Sequence, residues 1–293
     1  MDSSYFSDRE LGARARTVET INLAVWGGIV ATVQALLADG SFGDAFPWAC
    51  PDGGAIAGAN EHHFSLALRA EVPGIEWPLI ADKIPERLST LDLIEFCHRH
   101  VAKPIQGAYH SFFGHYHLTF DSEAGQVDFR ERINRIFARN GMAYELRKNG
   151  QIVRLAPEVL REALQAAVFR TGDTELDSLL ESARTKFLSP DAKVRREALE
   201  KLWDSWERLK TVELGTDKKA SIKALLDKAG GEPKFRDLLE REARELTSVG
   251  NGFQIRHTET TQTHLERDEH VDYLFHRLFG MVRMLIVLRG DSS

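Results

Sequence analysis

The chain is 293 residues long, 43% hydrophobic and 28% charged, with a formal net charge of −6; its length suggests about two soluble domains with real cores. The acidic excess is spread over both halves, which excludes nonspecific coating of nucleic acid while leaving room for a local basic groove. Two cysteines, Cys50 and Cys97, exclude a disulfide framework, so free thiols in the cytoplasm are expected.

The opening stretch MDSSYFSDRELGARAR has no apolar run of the signal-peptide kind. Residues 10–38 read as one long helix. Val18, Ile21, Val25, Ile29, Val33 and Leu36 recur at three- and four-residue steps, and Asp39-Gly40 supplies a stop. Asn22, Gln34 and two glycines make the apolar part a buried helix and not a membrane span. Residues 40–60 read as loop. Residues 63–70 alternate in part and predict a strand, and residues 91–101 a helix halted by Pro104.

Cys97, His98, His100, His110, His115 and His117 crowd into the next stretch. Zinc favours sulfur and imidazole. On a helix, however, His98 and His100 point about 200° apart, and in a strand His115 and His117 share a face as many solvated pairs do. The spacing fits no finger or zincin pattern, so the expectation is no metal and no cofactor.

Residues 109–120, YHSFFGHYHLTF, read as a strand or mixed turn. Residues 127–140 form an amphipathic helix with Phe129, Ile133, Ile136 and Phe137 on one face. Arg130, Arg132, Arg135 and Arg139 make either a basic ridge for RNA or a solvated face. Residues 142–146 and 151–155 flank Asn149-Gly150, a hairpin signal. The block FRERINRIFARNGMAYELRKNGQIVRL is similar to the end of an N-terminal domain in AbiJ-type abortive-infection proteins. The likeness runs over residues 1 to about 157 and carries no activity that attaches to particular residues. From Pro157, residues 157–169 read as helix or connector, and helical patterns follow at 174–187, 192–210, 218–228, 233–249 and 268–288, an antiparallel bundle joined by short loops. The fold class is therefore an α+β domain over 1–157 followed by an all-α bundle over 158–293.

Just ahead of the last helix sits a polar cluster, Asn251, Arg256, His257, Glu259 and His264. An arginine can hold phosphate oxygens in a fork, and histidines move protons near neutral pH. A solvated loop whose Arg256 and His257 bind carboxylates such as Glu259 is the other reading. Arg256-His257, six residues and His264 resemble the arginine–polar–x(4–6)–histidine motif of HEPN domains, and AbiJ-type proteins also end in a HEPN-like domain.

The resemblance implies a metal-independent endoribonuclease of abortive-infection type. In it Arg256 would stabilise the phosphorane, His264 or His257 would carry the proton, and Asn251 would help hold substrate. Glu207 would orient the arginine, though it reads equally as a surface ion pair. The resemblance also implies an RNA substrate, a homodimer that lines one cleft with two motifs, and an antitoxin or defence-system partner. A non-catalytic HEPN-like module that senses or docks a partner is the alternative.

Overall fold

A computed structural model describes residues 5–156, 160, 163–164, 167–213, 217–253, 255 and 262–290. The chain divides into two compact units, Met1–Leu155 and Ala156–Ser293. Among the described residues, no helix is long and apolar enough to cross a membrane.

The first unit is α+β. Its helices are α1 (Phe6–Leu11), α2 (Leu23–Ala38), α3 (Glu61–Glu71), α4 (Arg87–His100) and α5 (Ser122–Arg139). Strands β1 (Pro47–Ala49), β2 (Ile56–Ala59), β3 (Lys103–His110) and β4 (His115–Asp121) form an antiparallel sheet in the order β1-β2-β4-β3. β5 (Tyr144–Leu146) and β6 (Ile152–Arg154) form the separate hairpin that Asn149-Gly150 predicts, with Tyr144 opposite Arg154. Apolar residues of α2, among them Val25, Trp26, Ile29 and Val33, are buried at the centre of the core. Asn134 of α5 clamps the hairpin by donating to Leu146 O (2.9 Å) and accepting from Leu146 N (2.8 Å).

Three expectations are corrected here. The helix predicted over 10–38 stops at Leu11 and resumes at Leu23. Gly12 takes a φ of 78°, and the Asn22 side chain caps α2 by accepting from Val25 N at 3.0 Å. Between them Val18 pairs with the hairpin, donating to Gly141 O (2.9 Å) and accepting from Ala143 N (2.8 Å). Tertiary backbone pairing overrides the helical period there.

The strand predicted over 63–70 is helix α3. Asn60 caps it by accepting from His63 N at 3.0 Å, and Phe64 and Leu68 are buried four residues apart. The predicted loop over 40–60 contains β1 and β2, whose residues are all exposed or half-buried and so carry no alternation to read.

The second unit is helical: α6 (Thr174–Phe187), α7 (Ala192–Leu209), α8 (Lys218–Gly230), α9 (Pro233–Gly252) and α10 (Asp268–Gly290). Among its described residues there is no strand, only an isolated bridge between Phe253 and Thr263. Asp173, Asp191 and Asp217 cap three of these helices, accepting from Leu176 N, Lys193 N and Ala220 N. Trp203, Trp206, Phe187, Phe275 and Phe279 fill the core, and the Phe187 and Phe275 rings stack at 3.8 Å. α7 and α9 meet through side chains. Trp203 Nε1 donates to Leu246 O (3.2 Å), while Lys210, two turns further along α7, reaches Thr247 Oγ1 (3.5 Å).

Candidate functional site

Arg256, His257 and Glu259 of the predicted cluster lie outside the described residues. The structure does fix the two ends of the stretch that carries them. Thr263 N donates to Gly252 O (3.0 Å), and Gln262 Nε2 donates to Asn251 O (3.1 Å). The described parts of this segment therefore leave the end of α9 and return to it.

Two neighbouring arginines of α7 receive the chain after that return. Arg196 Nη1 lies 3.1 Å from Nε2 of exposed His264. A guanidinium has no acceptor, so His264 Nε2 accepts. Arg195 turns inward, fully buried, and donates to Asp268 Oδ2 (2.8 Å), Pro190 O (3.1 Å) and Ser189 O (3.3 Å). Glu207 sits at the other end of α7, about 16 Å along the axis from Arg196, paired with Lys210 and with Lys218 (3.6 Å). His264 and Glu207 thus mark opposite ends of one helix and do not meet.

Lys210 and Lys218, the partners of Glu207, face a cleft between α7, α8 and α9 with a volume of ≈ 740 Å³. Lys210, Lys218, Lys219, Lys223, Arg236 and Arg244 line it, against the single carboxylate Glu240. Trp206, Ile222 and Leu226 form its floor, with Lys210 Nζ 5.4 Å from the Trp206 ring centre. Arg236 hydrogen-bonds Asp227 (2.8 Å) and also binds Glu240. Hydrogen bonding from Arg236, and then the charges of Arg244 and Arg236, hold the Glu240 carboxyl below its usual range. Among the described residues no ion pair is recorded for Lys219 or Lys223, both exposed.

Glu240, Ala243, Arg244 and Thr247 repeat along one face of α9, and Asn251 continues that face one turn on, about 6 Å from Thr247 along the axis. A cationic trough of this kind in an acidic chain suits a polyanion.

The sequence reading missed the trough. Its cations come from three helices, and only Lys218, Lys219 and Lys223 cluster in the chain.

The histidine-rich stretch resolves into separate environments. Cys97 lies fully buried in the core, and burial pushes its thiol pKa up. His98 packs 6.4 Å from the Phe129 ring, and burial and then the Arg130 charge push its pKa down. Burial lowers His100 as well, opposed by Glu71. His115 and His117 gather with Cys50, a residue distant in sequence, and the His110 ring lies 5.6 Å from both histidines. One ligand-type atom from each of Cys50, His115 and His117 lies within 4.8 Å of the others. The ridge arginines part company too: Arg139 stacks on Tyr5 (4.5 Å) and binds Asp8, while Arg132 and Arg135 are exposed.

A family model described as AbiJ N-terminal domain 4 matches residues 4–170. No curated protein and no solved structure matches the chain.

Proposed function

The chain belongs to the AbiJ N-terminal domain 4 family, which makes it a protein of abortive-infection type, and from that premise we propose that its helical second unit binds and cleaves RNA as a HEPN-type endoribonuclease. The observation that carries the reading is the cationic trough, with Asn251 on the same face of α9 and Arg256 five residues further along the chain. A backbone rich in phosphate is the ligand that six lysines and arginines over an apolar floor would hold. From the trough to His264 is about 15 Å along α7. At about 3.4 Å per phosphate along a helical strand, roughly five nucleotides cover that length.

In the proposed reaction the 2′-hydroxyl of the substrate attacks the neighbouring phosphorus, and the bond to the 5′-oxygen breaks. The products are a 2′,3′-cyclic phosphate and a free 5′-hydroxyl. Arg256 meets the charge that builds on the phosphorane oxygens. His264 takes the hydroxyl proton at Nε2 once substrate phosphate draws Arg196 away from that atom, or, protonated, supplies one to the leaving oxygen, with His257 as the second proton carrier. A C2 homodimer would place two such clusters on one strand.

The test is incubation of the purified full chain with a labelled RNA in buffer without added divalent metal. Cleavage to cyclic-phosphate ends that is lost in Arg256→Ala supports the proposal. Tight RNA binding without cleavage would favour the docking module, which the trough serves equally well.

A further inference from the structure

The four-stranded sheet of the first unit has little core of its own. All three residues of β1 are exposed, and β2 meets β4 through the pair Ile56–Leu118. Against this thin sheet, one thiol and three imidazoles converge. Cys50 follows β1 directly. It is 3% exposed and fixed by its own backbone, with Cys50 N donating to Ala55 O (2.8 Å) and Gly53 N donating to Cys50 O (2.9 Å). His115 and His117 stand two residues apart on β4, hence on one face. His110 ends β3 opposite His115, its ring centre 5.6 Å from those of both other histidines.

The nitrogens of this cluster have an unusual status. Among the described residues, both ring nitrogens of His115, Nε2 of His117 and Nδ1 of His110 are buried without a hydrogen-bond partner. Buried polar atoms are nearly always satisfied, and four such nitrogens around one thiol call for a shared partner. Neutral imidazole lone pairs and a thiolate make the soft, nitrogen–sulfur donor set that selects zinc and its neighbours over calcium or magnesium. The His110 Nε2 lies 2.7 Å from Asp52 Oδ2, the carboxylate–imidazole arrangement that orients metal-bound histidines.

We propose that Cys50, His115 and His117 bind one zinc-class divalent ion, with His110, held by Asp52, filling the fourth position. Neighbouring ligand atoms around tetrahedral zinc are about 3.3–3.7 Å apart, so side-chain rotations of roughly 1 Å close the site from its present 4.8 Å span. The Cys50 thiol gives its proton to solvent as the thiolate binds. Since Cys50 follows β1 and the histidines lie on β3 and β4, the ion ties the turn after β1 across β2 to the other side of the sheet, a structural role. None of these residues lines the cationic trough.

The test uses the full chain. Protein purified without chelator is expected to hold about one zinc per chain, and chelator-stripped protein titrated with Co²⁺ alone should show a thiolate-to-cobalt absorption band that saturates at one equivalent. Cys50→Ser should abolish the band, and Asp52→Asn should weaken affinity about 10- to 100-fold while leaving the band in place. Exposed His62→Ala should change nothing. Zinc far below stoichiometry together with no cobalt band in the unmutated chain overturns the proposal, whatever the variants do. So does full Co²⁺ binding by Cys50→Ser.

Discussion

Gly250, in the last turn of α9, lies so close to the indole edge of Trp203 on α7 that a Cβ there would overlap Nε1 and Cδ1 of the ring. The contact brings the two helices together where α9 hands the chain to the segment bearing Arg256. Gly250→Ala should therefore cost more than its helix propensity would return. The expected loss is about 1–3 kcal/mol, as for an overpacked core, read as a lower denaturation midpoint. Trp203→Phe removes the bond to Leu246 O but keeps most of the packing, and should cost about 1 kcal/mol plus the lost ring area.

Arg195 and Arg196 divide their work between inside and outside. With Arg195 1% exposed, removing the carboxylate in Asp268→Ala leaves a buried guanidinium held by carbonyls. Because Asp268 is 43% exposed, the loss is discounted from that of a fully buried pair to about 1–3 kcal/mol. Arg195→Met, which keeps the apolar stem, should be better tolerated than Arg195→Ala. Thermal melts of the three variants decide both points.

Acid should destabilise the chain in two stages. His98 has its pKa lowered by burial and by Arg130, so its neutral form contributes stability that is complete above the unfolded value of about 6.5 and is lost as pH falls through the folded one. Asp173 caps α6 and takes a forked pair of bonds from Arg208 (3.1 and 2.8 Å). Its pKa is lowered by the Arg208 hydrogen bond and the Leu176 N–H. That contribution is present above about pH 3.9 and is lost below it. Stability measured against pH should fall first below about 6.5; His100, also lowered by burial, contributes to the same step, so His98→Gln should shrink that step without touching the one below about pH 3.9.

The helices of the second unit were legible because each carries its own signals. Asp173, Asp191 and Asp217 mark starts, and the alternating faces of 192–209 and 233–252 mark the buried sides. The β5–β6 hairpin was legible from Asn149-Gly150 for the same local reason. What failed was non-local. Val18 looks helical by period, yet its backbone pairs with residues 141–143. Cys50 is separated from His115 by the whole of α3, α4 and β3, so no spacing rule groups them. The trough is likewise assembled from three helices, and Lys219 and Lys223 read alone as a solvated helix face.

On the proposed mechanism, Arg256→Ala and His264→Ala should each lower RNA cleavage about 10²–10³-fold. The double variant should be hardly worse than either, because members of one catalytic unit are not additive. Arg256→Lys should rescue poorly, since an ammonium cannot reproduce the planar fork. Full activity in Arg256→Ala with an unchanged melting curve would remove the arginine from the mechanism.

The trough makes a separate prediction. Lys219 and Lys223 are exposed on α8 with no recorded ion pair among the described residues, so Lys219→Glu and Lys223→Glu should move stability by no more than about 0.5 kcal/mol. If these lysines meet phosphates, each substitution should weaken binding of all RNA sequences about equally and reduce the slope of log affinity against log salt by about 1. Arg244 binds one oxygen of Glu240 while Arg236 holds the other, so Arg244→Ala removes a cation and also uncovers one carboxylate oxygen inside the trough, and should weaken binding more than Lys219→Ala does. Fluorescence anisotropy of a labelled single strand across a salt series gives affinity and slope together. An unchanged slope in the Lys219→Glu, Lys223→Glu double variant would place the RNA elsewhere on the chain.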